Sequence, residues 1–186
     1  MQISPRNQLC YRHSNEVSLS DYTVTEAGFG FDLGGEKFLD IKCQSAGLAP
    51  KVVVMTTTIR ALKYPGGADL KTLTIPNVEA LIKGLPNLEK HLENAQLYNI
   101  TTVIAINKCY TDSDEEIQVI FDLARKLNIK VALSDGWAKG GAGARDLAAK
   151  VIEAIEENNS DFKPLYNWEQ DVVTKIETIA KKSTRS

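Results

Sequence analysis

Long apolar runs are missing from these 186 residues. No stretch approaches the roughly 18 uninterrupted apolar residues of a membrane-spanning helix, and the N-terminal MQISPRNQLC lacks the apolar core of a secretory leader. Neither a membrane partner nor export is expected. A basic excess is missing as well: 22 Lys+Arg against 24 Asp+Glu leaves a net charge of −2, with nothing spare to neutralise a run of phosphates. Nucleic acid is therefore not expected as a partner. Paired cysteines are also missing, because Cys10, Cys43 and Cys109 are odd in number and widely spaced, making neither a disulfide framework nor a zinc-ligand pattern. This points to a reducing, cytoplasmic setting and assigns no metal site. His13 and His91 lie far apart, and no Cys/His/Asp arrangement suggests a catalytic triad. The phosphate-loop pattern GxxxxGK[ST] is absent from the sequence, and GFGFDLGG misplaces the third glycine of a dinucleotide fingerprint. A self-sufficient phosphate-loop hydrolase is disfavoured.

What is present is ordinary globular composition, 43% hydrophobic and 25% charged. Four short apolar segments stand out, each followed by glycine, small polar residues or a cap and then by helical spacing, the alternation of βαβ units. They are Asp21 to Glu26, Lys51 to Thr57, Thr101 to Asn107 and Ile129 to Leu133. The second and third are apolar almost without interruption, as strands buried on both faces are. Val78, Leu81, Ile82, Leu85, Leu88, Leu92 and Ala95 step by three and four, predicting a helix that Gly84 and Pro86 should bend or split. Ile117, Ile120, Phe121, Ala124 and Leu127 predict a second helix, opened by the capping box Ser113 to Glu116. Leu147, Val151, Ile152 and Ile155 predict a third, and Trp168, Val172, Ile176 and Ile179 a last one after the loop NNSDFKPLYN. The fold class read from this is α/β, a parallel sheet with helices on both faces. Residues 1–20 form a divergent N-terminal segment, 21–158 the α/β domain, and 159–186 a C-terminal loop and helix.

Three loops at strand ends carry candidate chemistry. In Thr25-Glu26-Ala27-Gly28-Phe29-Gly30, glycines let backbone approach a ligand and the amides opening a helix favour an anion; the same spacing fits a tight turn that binds nothing. Glu26 there could hold a magnesium-bound water or orient a nucleophile, or be a plain surface carboxylate. Asn107-Lys108-Cys109-Tyr110-Thr111-Asp112 leaves the carboxyl end of the most strand-like segment, where side chains face the ligand crevice of a parallel sheet. Asn107, Lys108 and Asp112 could read a ring edge there, or Asp112 could simply close the turn. In Leu133-Ser134-Asp135-Gly136-Trp137-Ala138-Lys139-Gly140-Gly141-Ala142-Gly143, the flat face of Trp137 suits stacking on a planar ligand or covering a helix edge.

Read in order, VTEAGFGFDLGGEKFLDIKC, IRALKYPGG, KGLPNLEKHLENA, INKCYTDSDEE and ALSDGWAKGGAGA resemble formate–tetrahydrofolate ligase from about Asp21 to Glu157. The resemblance implies a sheet like that of phosphate-loop nucleotide hydrolases, here incomplete. It also implies ATP, magnesium, formate and tetrahydrofolate as ligands, with formyl phosphate formed first and its formyl group passed to N10 of the folate. On the matching positions, Glu26 and Arg60 take catalytic places with Gly28 and Gly30 beside the reacting phosphate. Asn107, Lys108, Cys109, Tyr110, Asp112, Leu133, Ser134 and Trp137 line the folate, and Lys63 is a further phosphate contact.

Two departures matter. The family's second stacking aromatic precedes a proline, and those positions are Cys109 and Tyr110 here, so Tyr110 is the candidate substitute. The family's phosphate-binding loop has no counterpart in this sequence, so the γ-phosphate charge lacks an obvious partner. The chain alone is therefore expected not to make formyltetrahydrofolate, and a complementary chain carrying that loop, or an oligomer, is the expected partner. The alternative reading is a non-catalytic folate-binding or interaction module of the same descent.

Overall fold

The computed structural model describes residues 19–157 and 159–183. Most of the divergent segment 1–20, with Cys10 and His13, lies outside the described residues. The chain divides into two compact units, Lys51–Phe162 and a second made of the residues up to Pro50 with those from Lys163 onward.

In the first unit, β1 (Val52–Thr57), β2 (Thr101–Asn107) and β3 (Lys130–Ser134) form a parallel sheet in the order β1-β2-β3. Three of the four strands read from the sequence are here, within a residue or so. The register pairs Met55 with Ile104, Ile104 with Val131, and Asn107 with Ser134. Flanked on both edges, β2 buries Val103, Ile104, Ala105 and Ile106 almost completely. At the edge of the sheet, β1 differs from expectation: Met55 and Thr57 are buried, but Val54 is 39% exposed and Thr56 is exposed too. Its apolar run covers one face, and the other meets solvent among the described residues.

The helices follow from their caps and stripes. The Thr58 hydroxyl accepts the Ala61 N–H at 3.1 Å and opens α1 (Ile59–Lys63). The Asn77 side chain accepts the Ala80 N–H at 2.9 Å and opens α2 (Val78–Gln96), which buries Leu81, Leu88, Leu92 and Ala95. Contrary to expectation, α2 runs unsplit through Gly84 and Pro86. An internal proline costs about 3 kcal/mol, whereas each fully buried leucine returns about 1.5–3 kcal/mol, and three of them bracket the proline. Gly84 is there for approach: a Cβ on it would stand 1.8 Å from the Leu62 carbonyl oxygen, and one on Gly66 1.8 Å from that of Ala80.

The expected capping box opens α3 (Asp114–Leu127), which buries Ile117, Ile120, Leu123 and Ala124. Left-handed Asn128 (φ 54°) ends it, and the Ile129 N–H returns to the Ala124 carbonyl at 2.9 Å. The last helix of this unit, α4 (Arg145–Glu156), contacts all three strands, buries Ala154 and leaves Ile152 38% exposed. Helices α2 and α3 pack against each other and against the sheet.

In the second unit, the segment Asp21 to Glu26 is not the strand its composition predicts. Val24 is 91% exposed, and no ladder partner exists for the segment among the described residues; a strand is defined by its partner's hydrogen bonds, which no single segment supplies. Wide π-helical turns follow at Gly30–Gly35 and Lys37–Cys43, continue into Gln44–Ala46, and end at left-handed Gly47 (φ 62°). Leu39, Asp40 and Cys43 are buried on one side. Asp40 Oδ1 accepts the Leu165 N–H at 2.7 Å, its carbonyl accepts the Trp168 indole N–H at 3.0 Å, and Glu36 hydrogen-bonds the Ser183 hydroxyl. Trp168 thus lies before, not in, the last helix, α5 (Val172–Lys182), whose Val172, Val173 and Ile176 are exposed. Among the described residues no helix is long and apolar enough to cross a membrane.

Candidate functional site

The carboxyl ends of parallel strands are where open α/β sheets bind ligands, and in the first unit three loops leave the sheet there. After β1 comes α1, which carries Arg60. The Arg60 Nη2 donates to Cys109 Sγ at 2.8 Å and to Thr111 Oγ1 at 3.1 Å, while its buried Nε has no hydrogen-bond partner among the described residues. That contact fastens the β1 loop to the β2 loop.

The β2 loop closes on itself. Asp112 Oδ2 accepts the Cys109 N–H at 2.7 Å, and the Asp112 N–H returns to the Cys109 carbonyl at 3.0 Å. One oxygen of this carboxylate therefore shapes the turn. A hydrogen bond from the Thr111 backbone N–H holds the Cys109 thiol below its ordinary value; partial burial opposes that, the Thr111 side chain and the Arg60 charge add to the lowering, and the nearby Asp112 opposes it. With its sulfur turned to Arg60, Cys109 presents no flat face. Its neighbour Tyr110 stands 85% exposed.

The β3 loop runs beside it. The Lys108 N–H donates to the Ser134 carbonyl at 2.9 Å, extending the Asn107–Ser134 register beyond the strands. Asn107 is exposed, and Lys108, Leu133 and Ser134 are half-buried. Trp137, on the turn Gly136–Lys139, is 88% exposed. The Asp135 N–H donates to the Gly143 carbonyl at 3.0 Å, where a Cβ on Gly143 would sit 2.2 Å from the Asp135 carbonyl oxygen, and Gly140 takes φ 56°. The glycines make a tight loop possible and hold its aromatic outward. Adjacent parallel strands lie about 4.8 Å apart, so Tyr110 and Trp137, each three residues past paired strand ends, rise from neighbouring loops.

Lys63 does not stand as a phosphate contact. It is 1% exposed, and its Nζ donates to Glu116 Oε1 at 2.8 Å and to the Ile75 carbonyl at 2.9 Å. Glu116 was legible in the sequence as the end of a capping box; its pairing with Lys63 and the Arg60–Cys109–Thr111 contact join segments that no spacing rule connects. Among the described residues no three of His, Cys, Asp or Glu gather to hold a metal ion. A magnesium travelling with a nucleotide is held largely by phosphates and water, and so belongs to that substrate.

Glu26, Gly28 and Gly30 belong to the second unit. Glu26 is exposed, Gly28 half-buried, and Gly30 takes φ 77°, a conformation that favours glycine. A Cβ on Gly34 would lie 1.8 Å from the Gly28 carbonyl oxygen, so the chain folds tightly back on this loop. Phe29 is 98% exposed.

A three-stranded parallel sheet flanked by helices places the first unit in the α/β class. The particular family comes from comparison: the family model described as formate–tetrahydrofolate ligase matches residues 10–186, and the chain belongs to that family. The formate–tetrahydrofolate ligase of Petrotoga mobilis is 49% identical over 170 residues, 91% of this chain and 30% of the relative. That of Granulibacter bethesdensis is 49% identical over 164 residues, 88% and 29%, and that of Limosilactobacillus reuteri 51% over 166 residues, 89% and 30%. The chain thus spans about 30% of the length of the curated relatives it matches.

Proposed function

We propose that these residues serve the ATP-dependent ligation of formate to tetrahydrofolate, giving 10-formyltetrahydrofolate, and that the first unit is the folate side of that reaction. The observation that carries this reading is Trp137, 88% exposed on a glycine-built loop that follows the strand paired with the one leading to Tyr110, in a chain of this family. Trp137 and Tyr110 would stack on the pterin ring, with Tyr110 in place of the flat face that Cys109 does not offer. Asn107, Lys108, Asp112, Leu133 and Ser134 would meet its edges. Formate attacks the γ-phosphorus of magnesium-bound ATP, and ADP leaves with formyl phosphate formed; N10 of the folate then attacks the formyl carbon, and phosphate leaves. In the first unit Arg60, whose Nε–H has no hydrogen-bond partner among the described residues, is a candidate for the reacting phosphate; Glu26, Gly28 and Gly30 of the second unit are candidates on the family resemblance alone.

Since the sequence has no GxxxxGK[ST], the charge on the γ-phosphate would be met by groups outside these 186 residues, in a complementary chain or segment. A cytoplasmic setting fits the free thiols Cys43 and Cys109, and the exposed apolar side of α5 supports an oligomer. The second reading is a non-catalytic folate-binding module. Its support is the lack of a GxxxxGK[ST] pattern in this sequence.

Calorimetric titration with tetrahydrofolate tests the folate side. Trp137→Ala and Tyr110→Ala are each expected to weaken binding about 5- to 100-fold, the range set by roughly 1–3 kcal/mol per stacked ring. Absence of binding to the unaltered chain would remove the folate reading, and unchanged affinity in Tyr110→Ala would remove Tyr110 from the wall. Formate-dependent product from the chain plus a polypeptide carrying the phosphate loop, and none from the chain alone, separates ligase from module.

A further inference from the structure

The buried pair Lys63–Glu116 reaches further into the site than a core ion pair needs to. Lys63 is 1% and Glu116 0% exposed. Four donors converge on the carboxylate: Lys63 Nζ and the Asn77 N–H at 2.8 Å on Oε1, and the Ser113 N–H and hydroxyl at 3.1 Å on Oε2. Lys63 adds its bond to the Ile75 carbonyl. Three segments are joined in this way: α1 one turn after Arg60, the turn that opens α2, and the start of α3 directly after the Cys109–Asp112 loop. A buried ion pair is weak as a source of stability, since apolar residues of like volume often serve equally well. Its directional bonds are what apolar residues cannot replace.

We propose that Lys63 and Glu116 are positioning residues, fixing α1 against the start of α3 so that the Arg60 guanidinium is held over Cys109 Sγ and Thr111 Oγ1. Lys63 lies one turn from Arg60 on a helix of five residues, too short to hold its own orientation. Glu116 stands four residues after Asp112 and anchors the far side of the same contact. Arg60 in turn sets where the Cys109 loop, and hence Tyr110, stands. The bearing of this on formyl transfer rests on the ligase reading; the geometry does not.

The test reads Cys109 as a local reporter. Its alkylation rate is followed by mass mapping across pH, and the ratio of the rate at pH 7 to the plateau at high pH gives the thiolate fraction with accessibility cancelled. Cys43, pushed up to about 12 by burial, with Lys42 opposing and Asp40 adding to the rise, stays silent. Arg60→Met defines the ratio without the guanidinium, expected about threefold below wild type. The double variant Lys63→Met/Glu116→Leu, which removes both charges together, is expected to fold with a lowered thermal midpoint, because the Asn77 and Ser113 N–H groups lose their acceptor, and to take the Arg60→Met ratio. Lys63→Gln/Glu116→Gln provides a second neutral pair should the first not fold. A wild-type ratio in either folded double variant, or in Arg60→Met itself, overturns the proposal. Tetrahydrofolate titration on the same proteins reports separately: failure of the unaltered chain to bind removes the ligase reading and leaves the alkylation result standing.

Discussion

At Glu116, burial and hydrogen bonding act in opposite directions. Burial raises the carboxyl, and the bonds from Lys63, Asn77 and Ser113 together with the Lys63 charge outweigh it, leaving the group below its ordinary 4.5. A carboxylate lowered on folding stabilises the folded state fully above its ordinary value, and that contribution fades as pH falls through the lower folded value. Acid unfolding of the first unit should therefore steepen below about pH 4.5, and Glu116→Gln should flatten that part of a plot of urea midpoint against pH. The same variant removes the charge that Lys63 Nζ faces in the core, and breaking a buried pair from one side costs about 3–5 kcal/mol. Parallel plots for wild type and Glu116→Gln would show that the pair does not couple to folding. At Cys109 the balance differs, because its lowering comes first from the Thr111 backbone, with Arg60 a smaller share. This is why the thiol works as a graded reporter of the guanidinium and not as an on–off one.

The elements show what a sequence pattern can carry. The capping box of α3, the apolar stripe of α2 and the continuous run of β2 are local signals reinforced by burial, and each appears where it was read. Asp21 to Glu26 has equal strand character in its side chains and makes no ladder, since pairing depends on a partner segment. The π-helical turns from Gly30 to Cys43 have no sequence signal comparable to a cap. In the site, Trp137 and Tyr110 were legible because glycine-rich and strand-end positions are local facts. Arg60 with Cys109 and Thr111, 49 and 51 residues apart, was not. Gly84 gives a quantitative case. Helix propensity alone favours alanine over glycine by about 1 kcal/mol, but a Cβ 1.8 Å from the Leu62 carbonyl oxygen forces the α1 turn and α2 apart, an overpacking cost of about 1–3 kcal/mol or more. Gly84→Ala should lower the urea midpoint without changing the slope. Gly136→Ala, with nothing within 4 Å, should leave it near wild type, and a stabilised Gly84→Ala would mean the close approach is absent in solution.

Across the whole chain, the two units differ in what fills their cores, and pH should separate them. The first unit buries Leu81, Ile104, Ile106, Ile120 and Tyr98 to 0% exposure. Among the described residues, the second buries few apolar side chains, Leu39, Cys43 and Leu165, together with Glu36 and Asp40. Burial raises the Glu36 carboxyl; the Ser183 hydrogen bond opposes this, and Asp40 and Asp32 add to the rise. A carboxyl raised on folding favours the folded state below its ordinary 4.5, and that advantage is lost as pH climbs through the folded value. Neutral pH thus weakens the second unit through Glu36, while Glu116 keeps the first at full strength there. In a Trp137→Phe background, Trp168 is the remaining tryptophan, and its indole bond to Asp40 makes its fluorescence a reporter of the second unit. Its urea transition should come before the main loss of far-ultraviolet ellipticity at pH 7 and move toward it as pH falls to about 5, above the range where Glu116 is lost. Glu36→Gln should remove that movement and place the tryptophan transition at its mild-acid position already at pH 7. Coincident transitions at both pH values, with Glu36→Gln unchanged, would mean that the two units unfold as one and that the buried carboxyl carries no free energy into the balance.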